Sequence, residues 1–158
     1  MVWQRLLMAR RDALVADSPR LLSVLTLAVV PWTVVFSGGI ITLVFPWGMA
    51  GFDPFTVTWL HEYLSATKSL PRQLEAWPIS AFLYALALAS TIGGVVTGVE
   101  DRRVTGGLLV IAGISHLSVS SWVLGTGRIG IPVGTVLSLA LAWWFHAEDL
   151  RRAVNPGT

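Results

Sequence analysis

The chain has no cysteine, which excludes disulfides, thiol catalysis and cysteine-ligated metals, and with them the thiol–disulfide membrane enzymes. Charge is scarce as well: Asp, Glu, Lys and Arg make up 13% of 158 residues while 54% are hydrophobic, too apolar a balance for an ordinary soluble domain of this length. Charged residues are missing altogether from Leu21–Phe52, Ala76–Val99, Val104–Gly127 and Ile129–Ala147. Each of these runs reaches the length of about 20 apolar residues with which a helix crosses the hydrocarbon of a bilayer. A soluble four-helix bundle would carry a polar outward stripe on each helix, and these runs are apolar or small all round. The first run is also far longer than the apolar core of a signal peptide, which has at most about 15 residues.

What is present fits that frame. Ten of the eleven basic residues are Arg, placed at the ends of the apolar runs, so the net charge of +2 reads as membrane anchoring and not as nucleic-acid binding. The expected fold is all-α: a polytopic membrane protein with a four-transmembrane-helix bundle, both ends in the cytoplasm, and a short outer interfacial helix. Spans are expected over about 19–44, 78–99, 104–124 and 129–147, with a basic amphipathic segment over 1–18, an outer loop over 47–77 and a tail over 148–158. With that arrangement eight Lys and Arg fall on the side of the two termini and three, Lys68, Arg72 and Arg128, on the other, as the positive-inside rule requires. Trp47, Trp77 and Trp122 then gather at the outer interface and Trp143 and Trp144 at the inner one, with Trp32 left deep in the first span.

Ser18 and Pro19 suit the start of the first span, Pro31 predicts a kink within it, and Phe45-Pro46-Trp47-Gly48 predicts its end. Asp53-Pro54 suits the start of the interfacial helix, with Phe55, Trp59, Leu60, Tyr63 and Leu64 on its apolar face. Small residues at every fourth position mark faces where helix backbones approach closely in lipid. Ser90, Gly94 and Gly98 form one such stripe, and Gly130, Gly134 and Ser138, with Ala142, form another.

His116 is the one ionisable residue deep in a span, which makes it the centre of a candidate intramembrane site together with Ser115, Ser120 and Pro31. A proton relay, a haem or metal ligand, or a substrate contact is the functional reading; a neutral histidine hydrogen-bonded among Ser115, Ser118, Ser120 and Ser121 is the structural one. A metal or haem shared with His61 or His146 is excluded by depth, since helix rise sets His116 and His146 at levels too far apart for one metal ion to bridge. No Asp or Glu lies within a span to serve proton-coupled transport. Gly125–Gly130 matches a GxGxxG pattern, but too little chain follows it for a dinucleotide-binding fold. His61-Glu62 begins a zinc-protease pattern, but residue 65 is Ser and the second ligand is missing.

Pro31-Trp32, Phe45-Pro46-Trp47-Gly48, Trp77-Pro78, Leu83–Leu88, Glu100–Val104, Ser115-His116, Pro132–Thr135 and Trp143-Trp144-Phe145 together resemble a family of short, uncharacterised four-span membrane proteins of halophilic archaea. The resemblance covers about 19–152 and implies topology and habitat but no chemistry. The expectations are therefore a multi-pass plasma-membrane protein with no catalytic residues, metal or cofactor. Its partners are the lipid bilayer and either a membrane protein or further copies of itself, and nucleic acid is not among them. The first function expected is a non-enzymatic accessory or scaffold subunit. The alternatives are a small pore or carrier using the kinked first span and His116, and a haem- or quinone-linked redox protein.

Overall fold

A computed structural model describes residues 19–67, 69, 71–72, 74–97 and 101–154, with side chains through Phe145. The fold is mixed α/β, and this corrects the all-α four-helix bundle expected from the sequence. The first apolar run is not one helix. Helix α1, Pro19–Val29, stops early, and the chain continues as β1 (Thr33–Ser37), β2 (Ile40–Phe45), β3 (Gly48–Phe52) and β4 (Phe55–Trp59). A short helix α2 (Leu60–Ala66) and two long helices, α3 (Ala76–Thr97) and α4 (Arg102–Gly125), follow, and then β5 (Ile129–Ile131) and α5 (Val133–Val154). The five strands form one antiparallel sheet in the order β4-β3-β2-β1-β5.

Local chemistry explains the departure. Thr33–Ser37 and Ile40–Phe45 are runs of β-branched and aromatic residues, which pack well on a pleated surface. Between them Gly38 and Gly39 sit at φ 57° and 87°, the positive values that a two-residue hairpin loop with the right twist demands. The break at Pro31 is therefore not a kink within a span but the passage from helix to strand. Phe55–Trp59 likewise pairs with β3 instead of opening the interfacial helix, so only the second half of that expected helix, Leu60–Ala66, is helical. There the Glu62 carboxylate accepts the Trp59 N–H at 3.1 Å. Asp53 and Pro54 form the tip of the β3–β4 hairpin across a cis peptide. Among the described residues only α3 and α4 are helices long and apolar enough to cross a membrane alone, which replaces the expected four; the apolar parts of α1 and α5, Pro19–Val29 and Val133–Phe145, are shorter.

α4 is central, packed against α3 on one side and α5 on the other. It opens at Asp101, whose side chain accepts the Arg103 N–H at 3.0 Å and so satisfies one of the free donors of the first turn. One apolar cluster, built on Val24, Leu27, Trp32, Tyr84, Leu109 and Phe145, joins α1 to α3, α4 and α5. A second, around Val35, Val44, Leu74, Trp77, Val119 and Val123, joins the sheet to the adjoining ends of α3 and α4. Of the expected segments, 1–18 and the tail residues 155–158 lie outside the described residues.

Candidate functional site

Trp32 is the joint between the helices and the sheet. Its backbone N–H donates to Val44 at 2.7 Å, extending the β1–β2 ladder, and its carbonyl accepts from the Gly134 N–H at 2.9 Å. Its indole N–H donates to the Leu27 carbonyl at 2.8 Å, taking up an acceptor freed where α1 ends. The ring meets Tyr84 and His116 edge-on, with centroids 5.5 and 5.1 Å away. Gly134 is required at this point: a Cβ there would fall 2.6 Å from the Trp32 Cα.

Next to this joint, strand β1 brings Thr33 onto His116 of α4 and Ser80 of α3. All three are fully buried, as is Ser120 one helical turn along. Thr33 Oγ1 lies 3.0 Å from His116 Nε2 and 2.8 Å from Ser120 Oγ, and Ser80 Oγ lies 3.0 Å from His116 Nδ1. Ser80 also donates to the Trp77 carbonyl at 2.8 Å, and this fixes the direction of the chain. With its hydrogen committed to Trp77, Ser80 accepts from Nδ1–H of His116; for a neutral imidazole Nε2 then accepts from Thr33, and Thr33 accepts from Ser120. Both ring nitrogens and every hydroxyl hydrogen of the four residues then have a partner, the condition under which a buried polar network stabilises a core.

The sequence singled out His116 and Ser120, and in the structure the connection between them runs through Thr33. Ser115 is half-buried outside this chain of hydroxyls, and exposed Ser121 bonds instead to the Leu117 carbonyl. Pro31 lies at the helix-to-strand passage, adjoining the network through Trp32. Thr33 and Ser80 were missed. Thr33 is placed against His116 only because residues 33–37 form a strand, and Ser80 stands at the helical level of His116 only once α3 and α4 are antiparallel neighbours.

The small residues are spent inside the molecule. Ser90 accepts a hydrogen bond from Thr105 at 2.9 Å, Gly94 is buried in α3, and Gly98 lies outside the described residues. Gly130 faces Val123 and the Ser120 carbonyl, Gly134 faces Trp32, and Ser138 faces Gly113. Thr135 donates to the Gly113 carbonyl at 2.9 Å, whereas the buried Ser138 hydroxyl has no partner.

Above the network, between the inward face of the sheet and the ends of α3 and α4, lies a cavity of about 250 Å³. Val35 and Val44 line it from the sheet, Tyr63 from α2, Trp77 from α3, and Val119 and Trp122 from α4. Thr42 adds a hydroxyl, and Arg128, in the turn between α4 and β5, is the only charged residue of the lining. Among the described residues no group of three His, Asp or Glu side chains is placed to hold a metal ion.

A family model described as a domain of unknown function, DUF8050, matches residues 7–156, nearly the whole chain. The chain belongs to the DUF8050 family. Its match takes in every strand and helix described above, so the sheet, the hydroxyl–histidine network and the cavity all fall within the family domain. No curated protein matches the chain.

Proposed function

We propose that this DUF8050 protein is a non-enzymatic integral membrane protein that binds a small apolar monoanion in the cavity beneath its sheet. The observation that carries the binding reading is that cavity, lined largely by apolar and aromatic side chains with a single cation, Arg128, among them. Its volume of about 250 Å³ exceeds the roughly 150 Å³ that admits benzene and approaches the roughly 300 Å³ at which small-molecule sites begin. An alkyl chain would meet Val35, Val44, Val119 and Trp122, and its anionic head would meet Arg128 and the Thr42 and Tyr63 hydroxyls.

The membrane reading is supported by inverted polarity. Thr33, Ser80, Thr91, Thr105, His116, Ser120 and Ser138 are buried, while Val29, Phe82, Val96, Ile114, Val136 and Trp143 are more than half exposed. Water would favour the opposite distribution, and a core helix of a soluble protein would be mostly buried, whereas less than half of α3 and of α4 is covered. The non-enzymatic reading is supported by His116, both of whose nitrogens are held by hydroxyls away from any surface. Small-residue faces directed at internal neighbours leave less for a scaffold role than their spacing suggested.

The test is binding of octanoate and of octanol to the detergent-purified protein, followed by tryptophan fluorescence, since Trp77 and Trp122 border the cavity. Saturable octanoate binding, weakened about tenfold by Arg128→Gln as loss of one charge-assisted contact implies, is expected, with octanol indifferent to that substitution. Octanoate binding that fails to saturate, or is untouched by filling the cavity with Val119→Trp, refutes the proposal.

A further inference from the structure

An antiparallel sheet with one face on a protein core and the other in water alternates apolar inward and polar outward. Here the alternation is reversed. The inward face carries Thr33, Thr42 and Thr58 among its apolar residues. On the outward face Ile131, Val34, Leu43, Ala50 and Val57 stand side by side across all five strands. In the next row Phe36 stands between Ile129 and Ile41, and Phe52 opposes Phe55. No polar side chain interrupts either row, and Ile129, Phe52 and Phe55 are 60%, 54% and 69% exposed.

We propose that this outward face is solvated by lipid acyl chains in the leaflet on the sheet side, with β1 and β5 completing the crossings that α1 and α5 begin. The inference rests on the membrane reading above and adds a position and an occupant to it. Length is the first argument. The apolar parts of α1 and α5, Pro19–Val29 and Val133–Phe145, rise about 16 and about 20 Å, short of the roughly 30 Å of hydrocarbon. Each is joined to a strand that continues toward the sheet end, β1 of five residues adding about 17 Å and β5 of three residues about 10 Å.

Height is the second argument. The Thr33–His116 bond fixes the start of β1 at a point about 21 Å along α4 from Arg102, and α4 continues for about 13 Å more. Over that stretch α4 still presents Leu117 and Leu124 outward, 42% and 56% exposed, so strand and helix share an apolar level. Backbone at such depth must be paired. β1 is flanked by β2 and β5, and the edge strand β5 is only three residues long and turns the inward side of Gly130 onto α4. The opposite edge, β4, adjoins exposed Asp53, His61 and Glu62, which sets that side of the sheet at headgroup level.

Because the chain lacks cysteine, single spin labels can be introduced without background. Ile131→Cys, Ile129→Cys and Val57→Cys, with Phe82→Cys on the outward side of α3 and Glu62→Cys as references, are reconstituted in vesicles, and their collision rates with oxygen and with a water-soluble nickel chelate are compared. Oxygen rates exceeding nickel rates several-fold at residues 131 and 129, as at 82, with a shallower reading at 57 and the reverse at 62, are expected. Nickel-dominated collisions at 131 and 129 with oxygen-dominated ones at 82 overturn the inference and leave the membrane reading standing. Low rates with both reagents at 131 and 129 overturn it in favour of a protein cover. Nickel-dominated collisions at 82 overturn the membrane reading itself.

Discussion

Replacing Gly134 with alanine tests the joint on which the helix-to-sheet passage depends. The added Cβ would fall 2.6 Å from both Cα and Cβ of Trp32, and against its Cγ as well. The obstruction includes backbone, and Trp32 is itself pinned by hydrogen bonds to Val44, Gly134 and Leu27, so no rotamer change relieves it. Overpacking of this kind costs about 1–3 kcal/mol, and backbone involvement points to the upper end. Alanine recovers up to about 1 kcal/mol by restricting the unfolded chain, leaving a net loss of about 2 kcal/mol. At roughly 2–4 °C per kcal/mol for a chain of this size, the melting temperature in detergent, followed by circular dichroism, should fall by about 4–8 °C. Gly93→Ala and Gly107→Ala are the controls: an added Cβ at either meets nothing within 4 Å, so both should hold or raise the melting temperature. A Gly134→Ala protein that melts with these controls, at or above the parent, would show that α5 does not press on Trp32 and would undo this account of the joint.

The buried polar groups yield predictions of both signs. Ser138→Ala should be neutral or stabilising in the same melting assay, because its hydroxyl is buried without a partner and removing it relieves a desolvation penalty of about 1–3 kcal/mol. His116→Leu should lose about 2 kcal/mol or more, since it leaves the Thr33 hydroxyl without its acceptor and takes the imidazole donor from Ser80; adding Thr33→Val to it should cost much less than Thr33→Val alone in the parent. Equal costs in the two backgrounds would show that the two residues are not coupled. Tyr84→Phe removes the 2.8 Å bond to the Val24 carbonyl and should lower stability by about 1 kcal/mol, read as a smaller melting shift than that of His116→Leu.

The charge pattern made the two long helices legible, because α3 and α4 coincide closely with uncharged runs of the right length. The same pattern concealed the sheet. An uncharged run as long as Leu21–Phe52 is equally consistent with one long helix and with a half-length helix followed by a hairpin, and length alone cannot separate them. The discriminating signal was local: Gly38-Gly39 between two β-branched runs is a hairpin signature, and Thr56-Val57-Thr58 between aromatics reads as strand. At the candidate site, depth along a helix picked out His116 and packing pitch picked out Gly130 and Gly134. Thr33 and Ser80 could not be found that way, because their place beside His116 depends on which elements are neighbours, and that is decided by tertiary pairing rather than by any periodicity within a segment.

The pairing of β1 with β5 binds an early element to a late one. Val34, Val35 and Phe36 meet Ile131, Gly130 and Ile129, far later in the chain. During synthesis the hairpins from β1 to β4 can form while α3 and α4 are still being made, but one side of β1 keeps its amide and carbonyl groups unmatched until β5 emerges. The last strand thus acts as a clasp: a chain ending at Gly127 would retain α3 and α4 yet leave β1 itself as an open margin, where the intact protein pairs Val34–Phe36 with β5.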